Sequence, residues 1–161
     1  MRSPIRQHIL PLGVFIFLSL SAGFVSAFFT ANAIPTWYEA LQKPALNPPA
    51  WLFAPVWTIL YILIGTSAFL VWKQVTPRKA IRTALRVFYI QLILNALWSI
   101  LFFGLKRPDV AFGEILLLWG SILATMFLFS KRSSATLFLL LPYLAWVSFA
   151  AYLNYQIWML N

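Results

Sequence analysis

The chain has 161 residues, of which 62% are hydrophobic, 18% aromatic and only 9% charged. A soluble domain is nearer a quarter charged, so the composition excludes one and indicates a single integral membrane domain. The formal net charge of +9 does not describe a nucleic-acid surface, because the basic residues lie between apolar runs rather than along one helix face. Cysteine is absent and His8 is the only histidine, which excludes disulfides, thiolate chemistry, and a histidine metal site or Ser-His-Asp triad within the bundle.

Apolar runs near residues 9–29, 55–72, 84–104, 110–129 and 135–158 are each close to the ~20 residues a helix needs to cross a hydrocarbon core. They are continuous and do not alternate, so they predict helices and not barrel strands. The first run follows Arg2 and Arg6 and precedes Ala31-Asn32-Ala33, which resembles a signal cleavage site. It is longer than the roughly 7–15 residues of a signal core and is read as an uncleaved helix. Within it Ser19, Gly23 and Ala27 recur every four residues, a spacing that permits close helix contact within a bundle or a dimer.

Residues 37–61 join the first two helices and are not an ordinary polar loop. They hold Trp37, Tyr38, Trp51, Phe53, Trp57 and Tyr61 together with Pro44, Pro48, Pro49 and Pro55. Proline limits backbone freedom, and aromatic rings offer large, stiff contact surfaces. A rigid lid over a pocket for a flat, apolar ligand follows as one reading. An interfacial aromatic belt is the other.

Three of the later helices carry a mixed face. In the second, Trp57 and Tyr61 continue into Ile64 and Ala68; in the third, Gln91, Asn95, Trp98 and Phe102 share a face; in the fifth, Tyr143, Trp146, Ala150 and Asn154 do. Singly, such amides serve as interhelical hydrogen bonds. Together the faces describe an aromatic cavity with few polar groups. The fourth helix opens with Asp109, placed to cap it, and Glu114, placed to pair with Lys106 or Arg107 or to turn inward; Gly120 and Ala124 are also four apart. No glycine-rich phosphate loop, metal-ligand cluster or internal repeat is present in the sequence.

Nine basic residues (Arg2, Arg6, Lys73, Arg78, Lys79, Arg82, Arg86, Lys131, Arg132) fall on one side and three (Lys43, Lys106, Arg107) on the other. The positive-inside rule therefore places the N-terminus in the cytoplasm and the C-terminus outside. The short chain and this charge pattern suggest a bacterial inner membrane.

The series Trp37-Tyr38, Leu41, Lys43-Pro44, Pro48-Pro49, Trp51, Phe53, Pro55, Trp57-Thr58 and Leu60-Tyr61 resembles the first-loop and second-helix signature of the TspO/MBR family, the tryptophan-rich sensory and translocator proteins. The likeness continues through Gln91, Asn95, Trp98 and Phe102-Phe103-Gly104, and through Pro142-Tyr143-Leu144, Trp146, Ala150 and Leu153-Asn154. It implies an all-α bundle of five membrane helices, often a homodimer, with the first loop as a lid. It also implies binding of porphyrin or haem without covalent attachment, of sterols in animal members, and of synthetic benzodiazepine-site ligands. The family's pocket positions correspond here to Tyr38, Pro48, Trp57, Tyr61, Asn95, Trp98, Trp146 and Ala150. Trp57 and Trp146 correspond to tryptophans implicated in light-dependent porphyrin breakdown, and are the candidate catalytic residues. Glu114 falls where many members carry an acid. The animal sterol motif of the fifth helix lacks its final basic residue here; a reversed pattern from Arg132 through Phe138 to Leu140 fits formally. A tetrapyrrole-binding sensor or carrier is the leading expectation, a light-dependent porphyrin-degrading enzyme the second, and a ligand-free scaffold the third.

Overall fold

The computed structural model describes residues 4–75 and 77–161. Its helices are α1 (Pro4–Ala33), α2 (Phe53–Trp72), α3 (Arg78–Ser99), α4 (Pro108–Ser130) and α5 (Ala135–Leu160). All five are long and apolar enough to cross a membrane, and among the described residues there is no strand. The chain is an all-α, five-helix membrane bundle. Packing pairs α1 with α2, α2 with α5, α5 with α4, α4 with α3, and α3 with α1. The helices thus close a ring in the order α1-α2-α5-α4-α3.

Two boundaries differ from the sequence expectation. The first helix does not stop near residue 29. It runs on through a π-helical turn, Ile34–Tyr38, that Glu39 closes with an N–H bond to the Ile34 carbonyl. Pro35 lies in that turn and lacks an N–H, so the helix can widen there without losing a donor. Trp37 and Tyr38 are therefore helical, and the non-helical strap shrinks to residues 41–49 before a short 3₁₀ turn at Ala50–Leu52. The third helix starts at Arg78, not at 84. Its basic first turns lack the apolar character used to read the span, yet they are regular helix. A second π-helical turn, Ile100–Gly104, ends this helix, with Leu105 N–H bonded to the Ile100 carbonyl at 2.8 Å.

Hydroxyls inside the bundle are mostly satisfied by their own helices. Ser19, Thr58, Ser67, Ser121 and Thr125 donate to carbonyls three or four residues back, which makes them tolerable at bilayer depth. The α1–α2 crossing is close enough to require glycine. A Cβ on Gly65 would lie 2.6 Å from Ile16 Cα and 2.7 Å from the Phe15 carbonyl oxygen.

Candidate functional site

A cavity of about 430 Å³ lies within the ring, bounded by α1, α2, α3 and α5. From α2 it receives Phe53, Trp57 and Tyr61; from the end of α3, Trp98, Ser99 and Phe103; from α5, Trp146 and Ala150. The α1 wall is Leu20, Gly23, Phe24, Ser26, Ala27 and Thr30, continued by Ile34 of the π-helical turn. Ala50 closes the strap end. No lining residue carries a formal charge.

The walls are ordered by ring contacts. Trp57 stacks on Tyr61 with centroids 5.5 Å apart and an interplanar angle of 27°, and meets Tyr143 edge-on at 6.3 Å. Phe53 meets Trp146 edge-on at 6.2 Å. Gly23 accommodates the Tyr61 ring, since a Cβ there would lie 2.5 Å from that ring. Behind the wall runs a hydrogen-bonded chain. The Tyr61 hydroxyl donates to Asn95 Oδ1, and Asn95 Nδ2 donates to the Tyr143 hydroxyl at 3.0 Å. A second chain joins α3, α5 and α4: Trp98 Nε1 donates to Asn154 Oδ1 at 3.0 Å, and Asn154 Nδ2 donates to the Pro108 carbonyl at 2.7 Å. These amides are spent on helix–helix links and fix the rings that face the cavity.

Five of the eight residues expected in the pocket line this one cavity: Trp57, Tyr61, Trp98, Trp146 and Ala150. Asn95 sits one layer behind, holding Tyr61. Tyr38 lies beside the cavity, lining a small adjoining void of about 30 Å³; its hydroxyl donates to Asn47 Oδ1 at 2.6 Å and so pins the strap. Pro48 lines neither space; its carbonyl accepts from Asn47 Nδ2 at 3.1 Å, which shapes the strap locally. Trp51 is 72% exposed and lines neither space. The aromatic segment thus divides, with Trp51 outside and Phe53, Trp57 and Tyr61 on the cavity.

Sequence reasoning missed the α1 wall. Ser19, Gly23 and Ala27 announce a close-packing stripe, but the neighbouring hydroxyls Ser26 and Thr30 give no periodic aromatic signal. Ser26 Oγ and Trp146 Nε1 are buried polar atoms without a hydrogen-bond partner, and both residues line the cavity. Neither atom has accessible surface, so the hydroxyl and the indole N–H, which can only donate, sit behind the wall and do not open onto the cavity.

Asp109 and Glu114 part company. Asp109 lies inside the first turn of α4, where its negative charge favours the helix N-terminus. Arg107 Nε and Nη2 bond its carboxylate oxygens at 2.8 and 2.6 Å. Glu114 turns inward; it is buried, with both carboxyl oxygens unpartnered, and it is not a lining residue of the cavity. Among the described residues no group of three His, Cys, Asp or Glu side chains is placed to hold a metal ion.

The fold and this site define a class: a small membrane protein whose helices close on an uncharged, aromatic-walled cavity. Residues 15–159 match the family model described as TspO/MBR family, and the chain belongs to that family. It is 43% identical to the tryptophan-rich protein TspO of Chlorobaculum tepidum, over 97% of this chain and 99% of that one. It is 38% identical to the translocator protein of Homo sapiens, over 84% of this chain and 80% of that one. It is 36% identical to the tryptophan-rich sensory protein of Cereibacter sphaeroides, over 78% of this chain and 77% of that one.

Proposed function

We propose that this protein is a membrane receptor or sensor that binds a flat, largely apolar macrocycle of the porphyrin class in the cavity, with delivery of that ligand as part of its role. The carrying observation is the wall itself: Trp57, Tyr61, Trp98 and Trp146 around about 430 Å³ with no charged lining residue. Ligand sites fall at about 300–1,000 Å³, with predominantly apolar and aromatic walls and a few placed polar groups. The lining residues Thr30, Thr58 and Ser99 carry hydroxyls that fit this description. The lining contains no His, Cys or Met, and the Tyr61 hydroxyl is already bonded to Asn95. Nothing in the wall is therefore suited to ligate iron, and a metal-free porphyrin fits it better than haem held through its metal. Ionised substituents of such a ligand must project out of the uncharged cavity. The names of the relatives, translocator and sensory protein, agree with a receptor or carrier. A bacterial inner membrane, an outward C-terminus and a homodimer complete the proposal. Sterol and benzodiazepine-site ligands are secondary occupants of the same apolar space.

A second reading rests on Trp57 and Trp146 sharing one cavity. Light absorbed by bound porphyrin would convert dissolved dioxygen to a reactive form, and an adjacent indole is readily oxidised. Absorption and fluorescence spectra of the purified protein with protoporphyrin, dark and then illuminated, separate the readings. A stable shifted spectrum supports binding, new light-dependent bands support conversion, and unchanged spectra favour a ligand-free scaffold.

A further inference from the structure

The charges of this chain are segregated by the fold. Because α3 begins at Arg78, its first turns present Arg78, Arg82 and Arg86 at four-residue intervals, with Lys79 beside them, all exposed. Ring contacts gather further cations at the same end. Phe88 of α3 lies 6.4 Å from Phe15 and 6.0 Å from Phe129; Phe15 in turn lies 6.2 Å from Trp72. Lys73 follows Trp72, and Lys131 and Arg132 follow within a turn of Phe129. Among the described residues none of these cations forms an ion pair; the pair present, Arg107–Asp109, is at the opposite end. Glu39 lies at that opposite end too, and Glu114 is buried on α4 nearer to it. Arg132 Nε is buried with no acceptor. This end therefore concentrates positive charge with no carboxylate to neutralise it.

The exposed face of α3 changes character beyond Arg86. Tyr89, Ile90, Ile93 and Leu97 are all exposed there. At 1.5 Å per residue, Arg86 to Leu97 spans about 16 Å, close to one leaflet of a hydrocarbon core about 30 Å thick. A cationic stripe at headgroup level that runs into an apolar stripe one leaflet long matches a molecule with an anionic head and acyl chains. A second copy of the chain does not match it. A two-fold contact through this face would set the same arginines against one another, and like charges at an interface repel.

We propose that this face of α3 is a binding site for an anionic glycerophospholipid, its phosphodiester held by Arg82 and Arg86, and its acyl chains along Ile90, Ile93 and Leu97. The proposal is independent of what the internal cavity binds. Each basic residue near an anionic surface contributes about 1 kcal/mol, a factor of about five. Removing two of them should therefore weaken preferential retention by roughly 25-fold.

The test is native mass spectrometry of the full-length protein extracted from bilayers of equal phosphatidylglycerol and phosphatidylcholine. The wild type should retain phosphatidylglycerol preferentially. The pair Arg82→Gln/Arg86→Gln should lose that preference, whereas Lys106→Gln/Arg107→Gln, which removes as much charge from the opposite end, should keep it. Arg82→Lys/Arg86→Lys should restore most of the preference, which separates loss of the site from loss of fold. Equal loss in both glutamine pairs would reduce the effect to net charge and overturn the site. No preference in the wild type would overturn it as well. Complete displacement by millimolar inorganic phosphate would assign the stripe to free anions instead of a lipid.

Discussion

Asn95 links three helices through one side chain, so its replacement tests whether the polar layer behind the cavity is what orders the aromatic wall. Asn95→Ala removes the bond from the Tyr61 hydroxyl and the 3.0 Å bond to the Tyr143 hydroxyl. Interhelical hydrogen bonds in membrane proteins average about 0.6 kcal/mol and reach about 1.7. Two of them amount to about 1–3 kcal/mol. Both tyrosines are buried, so neither hydroxyl regains water, and the upper half of that range is expected. Tyr61→Phe removes only one bond and keeps the ring stacked on Trp57 at 5.5 Å; it should cost about 1 kcal/mol or less. Equilibrium unfolding in mixed micelles, run as a double-mutant cycle with Asn95→Ala and Tyr61→Phe, should show the two substitutions coupled, because they share a bond. Porphyrin affinity, measured by fluorescence quenching, should fall in Asn95→Ala more than in Tyr61→Phe, because the freed ring no longer holds its place in the wall. Additive stabilities with equal affinities in both variants would refute the claim that Asn95 orders the cavity.

At the α1–α2 crossing, Gly65→Val should lose at least ~1–3 kcal/mol from overpacking, since its Cβ would meet the backbone of Phe15 and Ile16. Gly120→Ala, inside α4 with no atom within 4 Å of the new Cβ, should unfold at or above the wild-type midpoint, with a gain of up to ~1 kcal/mol from helix propensity. Trp57→Phe and Trp146→Phe retain a ring at each site but remove the indole; photoproduct yield should fall more than affinity, and unchanged yield in the double variant would remove these residues from any light-driven chemistry. The nine-to-three asymmetry of basic residues should make alkaline phosphatase fused after Asn161 active and a green fluorescent protein fused there dark, with the reverse pattern showing that the cavity's strap end faces the cytoplasm.

How much of this was legible in the sequence depended on whether a signal survived the membrane setting. Span count and helix type were plain, because lipid demands long apolar runs whose backbone is satisfied internally. The start of α3 was not. Arg78, Lys79 and Arg82 look like connection residues to a hydropathy argument, although arginine and lysine are good helix formers. The end of α1 was misplaced for a related reason. The apolar run ends near residue 29, but the helix continues past it, and a π-helical turn holding Pro35 carries Trp37 and Tyr38 onward as helix. For the cavity, aromatic residues at three- and four-residue spacing on α2, α3 and α5 pointed to the right faces. The amides among them were ambiguous, since a buried asparagine looks the same in sequence whether it meets a ligand or a tyrosine. Asn95 and Asn154 meet protein groups.

The α1 wall shows why small residues hide function in a membrane bundle. Gly23 and Ala27 satisfy a packing motif, and the same lack of side-chain volume opens space for a ligand. At Gly23 the space is filled by Tyr61, whereas at Ser26, Ala27 and Thr30 it remains part of the cavity. Whether a small residue makes contact or makes room depends on the partner helix. That partner is fixed here by the ring order, which sets α1 against α2 and α3 and leaves α5 to close the far wall. The rings that α2, α3 and α5 direct inward need a smooth opposing surface if a flat molecule is to enter between them. The small-residue stretch of α1, Ser26, Ala27 and Thr30, provides that surface. The cavity is thus an aromatic three-sided frame closed by a low-relief helix, and ligand selectivity should respond to added bulk at Ala27 as strongly as to loss of a tryptophan.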